Sequence, residues 1–464
     1  MTRRVELVDL DLPDFGYPSY QPKLSGDIYL KRLERLRKKA EDYTHIVIYG
    51  DREHMANITY LTGYDPRFEE ALVIVDIQDE DQWILVGNEG VGYLEISPIK
   101  EQLNQVLYQP FSLLGQDRTL SKPLKEIFTD IGINNNSTVG VAGWKYYTKE
   151  ETQTPDQWIE APSYIVDTLR NITNSVINAT HIFMHQTMGL RATHEPEQLA
   201  VMEYASTITS QAVRDAINGV WPGMTEHQAV QIMKLNGLPH SCHTMLSTGK
   251  RAHLGLPSPT DKVIQRGEPF TTAVGIWGAL TCRAGWLVAD ESELPEDIRD
   301  YVEKLASPYF RAVVAWLESI KIGVTGGELY KAVHDVIGDP FYGVELNPGH
   351  LIGLDEWVNT PIYRNSVDRI KPGMALQVDI IPATGTRYFT INTEDGIAIV
   401  DQGTRNTLMQ QYPEAWNRIT ARRDYMTEQL GIRLHPEVLP FSNLAGHLPP
   451  FILNPRRAFR MNKA

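Results

Sequence analysis

Short runs of consecutive apolar residues at 46–49, 71–75 and 83–86 alternate with stretches whose leucines recur at helical spacing, as at Leu30, Leu33 and Leu36. The first pattern predicts buried strands and the second an amphipathic helix over 29–42, so the N-terminal third reads as an α/β layer. Helical and strand-like pieces continue at 124–130, 138–141 and 164–169. The Asn-, Thr- and Ser-rich stretch 171–180 predicts a connector, which ends this first domain near residue 175.

A repeat follows. Helical spacing over 195–218 puts Leu199, Met202, Ala205, Ile208, Ala212 and Ala216 on one stripe, and the chain then runs into Gly223-Met224-Thr225-Glu226-His227-Gln228. About one hundred residues later a helical stretch over 296–320 runs into Gly323-Val324-Thr325-Gly326-Gly327-Glu328. In both places Thr stands three residues before Gln or Glu, the spacing of a capping box that satisfies orphaned N–H groups at a helix start. Each helix pair precedes β-rich sequence, at 245–288 and at 343–400, so the C-terminal half reads as one ααββ unit used twice.

Composition narrows the function classes. A chain of 464 residues with 42% hydrophobic and 22% charged residues has material for two cored domains. Its formal charge of -14 argues against nucleic acid as a partner, because phosphate binding needs a concentrated basic surface. The basic run 31–39 shares its helix with the leucine stripe and reads as a solvated face. Two cysteines give no disulfide framework, and no stretch of about 18 apolar residues occurs, so a cytoplasmic protein without membrane attachment is expected. The polar leader over 1–20 is expected to be irregular.

Several motifs then resemble one family in order and spacing. Asn57-Ile58-Thr59-Tyr60-Leu61-Thr62-Gly63, Ser247-Thr248-Gly249, Pro348-Gly349-His350-Leu351-Ile352-Gly353-Leu354, Lys371-Pro372-Gly373-Met374 and Thr393-Glu394-Asp395 are similar to signatures of the creatinase, aminopeptidase P and prolidase family. The resemblance implies an α/β N-terminal domain over 1–175, an α+β pseudo-twofold pita-bread domain over 176–435, and a C-terminal extension over 436–464. The extension, with Leu439-Pro440-Phe441 and Leu448-Pro449-Pro450-Phe451, reads as a proline-punctuated strap.

Peptidases of that family hold two divalent metals with two Asp, one His and two Glu. Counting from the Gly267-Glu268 turn, the first Asp position falls at Ala273 and the second, if the hairpin has no insertion, at Ala284. The remaining positions fall at His350, at Asp379 and at Glu394. The resemblance to creatinase, which lacks the metal, therefore implies a metal-independent hydrolase of a C–N bond in a small metabolite, with no cofactor. His253 would move protons, helped by His350, Asp379 and Glu394, since imidazole titrates near neutrality. The alternatives are an Xaa-Pro-type metallopeptidase holding one Mn, Fe or Zn ion at His350, Asp379 and Glu394, and a non-catalytic domain that binds peptides or a protein.

Creatinase's second glutamate corresponds to Trp286, so creatine is not the expected substrate, and the family's later substrate-facing histidine corresponds to Trp357, which weighs against the Xaa-Pro peptidase alternative. Trp286 and Trp357 are candidate pocket walls. Arg283, Arg364 and the Arg67–Phe68 loop are candidate substrate contacts, the arginines as anion clamps. The resemblance implies that this loop reaches a neighbouring subunit's site, and hence a homodimer acting on a small molecule.

Overall fold

In the computed structural model, which describes residues 3–462, the leader expected to be irregular supplies a strand, β1 (Val5–Asp9). The apolar runs of the N-terminal third follow as β2 (His45–Gly50), β3 (Ala71–Asp76), β4 (Gln82–Val86), β5 (Asn104–Leu107), β6 (Thr138–Ala142) and β7 (Ser175–Asn178). They form a mixed sheet in the order β5-β4-β3-β2-β6-β7. Strand β2 is buried along its whole length, as expected of a strand covered on both faces. The helices Leu124–Asp130 and Ser163–Arg170 bring Phe128, Ile165 and Leu169 into the same core.

This sheet belongs to a compact unit spanning Leu24–Ala192. The division from the rest of the chain falls after Ala192 and not near 175, because the polar stretch read as a connector contains β7, which pairs in parallel with β6. The second unit comprises Thr193 onward together with the leader.

In that second unit the repeat is explicit. Helix Pro196–Gly219 buries the whole predicted stripe from Leu199 to Ala216. Helix Glu226–Gln231 then begins at a capping box: Gln228 N–H donates to Thr225 Oγ1 and Thr225 N–H to Gln228 Oε1. Strands β8 (Met245–Thr248), β9 (Pro269–Ile276) and β10 (Ala279–Trp286) complete the first copy. The second copy has helices Ser307–Ser319 and Gly326–Ile337, the latter capped in the same way by Thr325 and Glu328. Its strands are β11 (His350–Leu351), β12 (Met374–Asp379) and β13 (Asn392–Ile399).

The order β8-β9-β10-β13-β12-β11, antiparallel throughout, makes the two copies meet along β10 and β13. The C-terminal extension is part of this unit. Strand β14 (Val438–Pro440) adds to β13, residues 438–452 are buried, and β15 (Arg457–Met461) pairs with β1. Among the described residues no helix is long and apolar enough to cross a membrane.

Candidate metal centre

Opposed residues of antiparallel strands share a face, so the register reads out a row of neighbours across the sheet. Met245 faces Ala273, Ala273 faces Cys282, Cys282 faces Glu394, and Glu394 faces Asp379. All five line one cavity of about 1190 Å³. The β9–β10 hairpin turns on Trp277 and Gly278 alone, which moves the residue opposite Ala273 two places earlier than an ungapped count suggests. Cys282, not Ala284, therefore sits between Ala273 and Glu394, although Ala284 also lines the cavity.

His350 comes from the short strand β11 at the sheet's edge and is fully buried. Its Nδ1 lies 3.1 Å from the Leu351 carbonyl oxygen, an acceptor only, so Nδ1 carries the proton and donates. Nε2 is the ring nitrogen left facing the carboxylates. Three carboxylate oxygens surround that atom: Glu356 Oε1 at 3.6 Å, Glu394 Oε1 at 3.6 Å and Asp379 Oδ2 at 3.7 Å. These separations are too long for hydrogen bonds. They are close to the roughly 3.4 Å between neighbouring ligands held about 2.1 Å from one tetrahedral ion.

Ligand atoms of His350, Asp379 and Glu394 all lie within 4.8 Å of one another. Nε2 of His350 and Oδ1 of Asp379 are buried with no hydrogen-bond partner in the protein. Burial first, and then the charge of Glu394, push the Asp379 carboxyl well above the usual range, while burial and Glu356 do the same to Glu394. Burial raises Glu356 as well. A buried imidazole nitrogen without a protein partner beside crowded carboxylates is a residue set that a divalent cation satisfies. The fit is to one ion, because Ala273 offers no ligand and Cys282 stands outside the compact group.

The other predicted residues divide. His253 is exposed on the turn Gly249–Leu254 at the cavity wall, edge-on to Phe389 at 4.8 Å, and burial of its ring lowers its pKa. Trp286 lines the same wall and meets Phe389 edge-on at 6.4 Å. Trp357 stacks on the His350 ring with centroids 4.0 Å apart and an interplanar angle of 22°. Phe389, which the sequence reading passed over, is buried with φ 63, a left-handed backbone unusual for an aromatic residue. Glu356, next to the Trp357 position, was also missed, because the family motif there has an apolar residue in its place.

Arg283 is not a pocket residue. One step along β10 from Cys282, it points to the opposite face, fully buried, where it donates to both carboxylate oxygens of Asp395 at 3.2 and 2.8 Å. Ser442 Oγ donates to the same Asp395 at 2.6 Å, so the C-terminal strap is tied to the back of the strand that carries Glu394. Arg364 is exposed and does not line the cavity. Arg67 and the exposed Phe68 belong to the Leu24–Ala192 unit, where Arg67 N–H donates to Asp65 Oδ1 at 3.1 Å.

Residues 200–402 match the model of metallopeptidase family M24. Among solved structures, the chain is similar to the prolidase from Pyrococcus horikoshii OT3, with 16% identity, a TM-score of 0.60, and 80% of this chain and 95% of that one covered. The Xaa-Pro dipeptidase from Bacillus anthracis gives 15% identity, a TM-score of 0.60, and coverage of 81% and 96%. A dipeptidase from Mycobacterium ulcerans gives 18%, 0.60, and coverage of 82% and 95%. At such identities the likeness establishes the fold. No curated protein matches this sequence.

The family match and the His350, Asp379 and Glu394 group overturn the expectation of a site without a cofactor. That expectation took the two missing aspartates as the loss of all metal binding, whereas the potential ligands left on β11, β12 and β13 converge without them. Residues 200–402 are thus similar to the model of metallopeptidase family M24, and the chain has the pita-bread fold of the prolidases.

Proposed function

We propose that this protein is a hydrolase of C–N bonds in small peptides, of the Xaa-Pro peptidase type, with a reduced site that holds one divalent metal ion. The observation that carries this reading is the buried His350 Nε2, which lacks a hydrogen-bond partner and faces Asp379 and Glu394 at 3.7 and 3.6 Å. His350, Asp379 and Glu394 would hold the ion, which in such sites polarises a carbonyl and makes a bound water acidic. His253, across the cavity and with its pKa lowered by burial, is suited to take a proton from the attacking water and pass it to the leaving nitrogen. Trp286, Trp357 and Phe389 exclude water around the reacting bond. The two free cysteines favour a reducing cytoplasmic setting, and the resemblance favours a homodimer.

A second reading, a non-catalytic binding domain, is favoured by Ala273 and Cys282 standing where a dinuclear peptidase needs carboxylates. Elemental analysis of protein purified without chelators, followed by turnover of a dipeptide panel including Xaa-Pro members, separates the two. One ion per chain with turnover lost in His350→Ala supports the hydrolase. Absence of any stoichiometric metal refutes it.

A further inference from the structure

We infer that Glu226 is a positioning residue that holds the cavity wall carrying His253 in place for proton transfer. The inference rests on the hydrolase reading above, in which His253 passes a proton to the leaving nitrogen. Residues 249, 250 and 252–256 all line the cavity, so one short loop after β8 builds that side of it. Glu226 does not line the cavity; it is fully buried at the start of helix Glu226–Gln231. Its Oε1 accepts from Thr248 N–H at 2.9 Å and from Thr248 Oγ1 at 3.1 Å, where the loop begins. Its Oε2 accepts from Thr260 N–H at 3.0 Å and Thr260 Oγ1 at 2.9 Å, where the loop ends, and from Arg251 within it. Arg251 in turn donates to the Ser258 carbonyl at 2.7 Å. One carboxylate therefore ties the loop at both ends and at Arg251, two residues before His253.

The repeat shows that packing alone does not call for this carboxylate. In the first copy Glu226 N–H donates to the Lys262 carbonyl at 3.0 Å and His227 N–H to that of Thr260 at 3.0 Å. In the second copy Gly326 N–H donates to the Asp368 carbonyl at 2.8 Å and Gly327 N–H to that of Ser366 at 3.0 Å. The same helix start meets the same returning segment, but with glycine in place of glutamate, and a Cβ there would run into the Pro361 carbonyl oxygen. The second copy closes by backbone contact, whereas the first leaves room and fills it with a charge. Burial raises the pKa of that carboxyl, but the donors from Thr260, Thr248 and Arg251 bring it below the ordinary value. A buried charge is costly unless hydrogen bonds satisfy it, and every side-chain partner of Glu226 named above belongs to the loop. His253 is held by packing on Phe389, so its place along the wall follows the backbone that Glu226 ties down. Such preorganisation matters because a misplacement of about 1 Å can cost about a hundredfold in rate.

The test compares full-length wild type, Glu226→Gln, Glu226→Asp, His253→Ala and the Glu226→Gln/His253→Ala double variant by amide hydrogen exchange, metal content and turnover of the dipeptide panel. Exchange over 249–256 is expected to be at least about tenfold faster in Glu226→Gln, the worth of one charge-assisted hydrogen bond, with β10 and β13 unchanged. Its kcat should fall at least about tenfold with KM and metal content kept, and Glu226→Asp should recover part of the loss. The double variant should be no slower than His253→Ala, because Glu226 acts through that histidine. A purely structural role would slow the double variant further, and that outcome overturns the inference, as does unchanged exchange or unchanged kcat in Glu226→Gln. If Glu226→Gln does not fold, Arg251→Met, which cuts the tie from the loop side, is read by the same measures with the same expectations. A wild type that turns over no member of the panel overturns the hydrolase reading and this inference with it. The other contrary outcomes overturn this inference alone.

Discussion

Replacing Asp379 with Asn exposes what the carboxylate cluster costs when no metal is present. Asp379 and Glu394 oxygens lie within 4.8 Å, so two ionised carboxylates there repel by about 3.5 kcal/mol at an effective dielectric of 20. Both carboxyls have raised pKa values, so the folded chain holds their protons longer than the unfolded chain does. The sign follows: stability of the metal-free protein is greatest below the ordinary carboxylate pKa of about 4 and is lost as pH rises above it, by up to about 1.4 kcal/mol per pH unit for each such group. Asp379→Asn removes one of these groups but leaves a buried amide short of partners, an offset of about 1–3 kcal/mol. The metal-free variant should therefore exceed wild type by about 1–2 kcal/mol at pH 8, with a smaller gap at pH 5.

Metal at one hundred times its Kd should add about 2.7 kcal/mol to wild type and far less to the variant, which reverses the order. Denaturant titrations of chelator-stripped and metal-loaded protein between pH 5 and 8 measure both quantities. A variant less stable than wild type at pH 8 without metal, or equally stabilised by metal, refutes the reasoning.

Trp357→Ala removes the ring stacked on His350 and should weaken metal affinity about tenfold, read by chelator competition. Glu203 accepts from Arg418 Nη2 at 2.6 Å and Arg422 Nη1 at 2.7 Å in a fully buried cluster, so Glu203→Gln should cost about 3–5 kcal/mol in urea unfolding while metal content stays unchanged. Burial pushes the Cys242 thiol up to about 12, which should slow its alkylation at pH 8 more than about a thousandfold against a free thiol. Rapid labelling of the native protein would contradict that.

Local signals in the sequence were enough for the parts of the fold that local physics decides. The capping boxes at Thr225 and Thr325 form as read, because a Thr and a Gln or Glu three residues on need nothing but a helix start to find each other. The apolar stripe of helix Pro196–Gly219 is buried because its periodicity leaves only one face to hide. Pairing between distant segments carries no such mark. The leader became a strand only because β15, at the other end of the chain, lies beside it, and β7 was hidden by a polar composition that an edge strand tolerates.

The site divides in the same way. His350 and Glu394 were legible because each stands in a motif whose spacing survives, and Asp379 by its position between those motifs. The sequence alone therefore determined the repeat, the capped helices and three candidate metal-holding residues. Tertiary structure decided the rest through strand register. A two-residue hairpin set Cys282 beside Ala273, a one-residue step turned Arg283 to the back of the sheet, and the chain after β11 brought Glu356 to His350. Each outcome depends on which residues face one another across strands far apart in sequence, and the pleat gives every single-residue shift the opposite face.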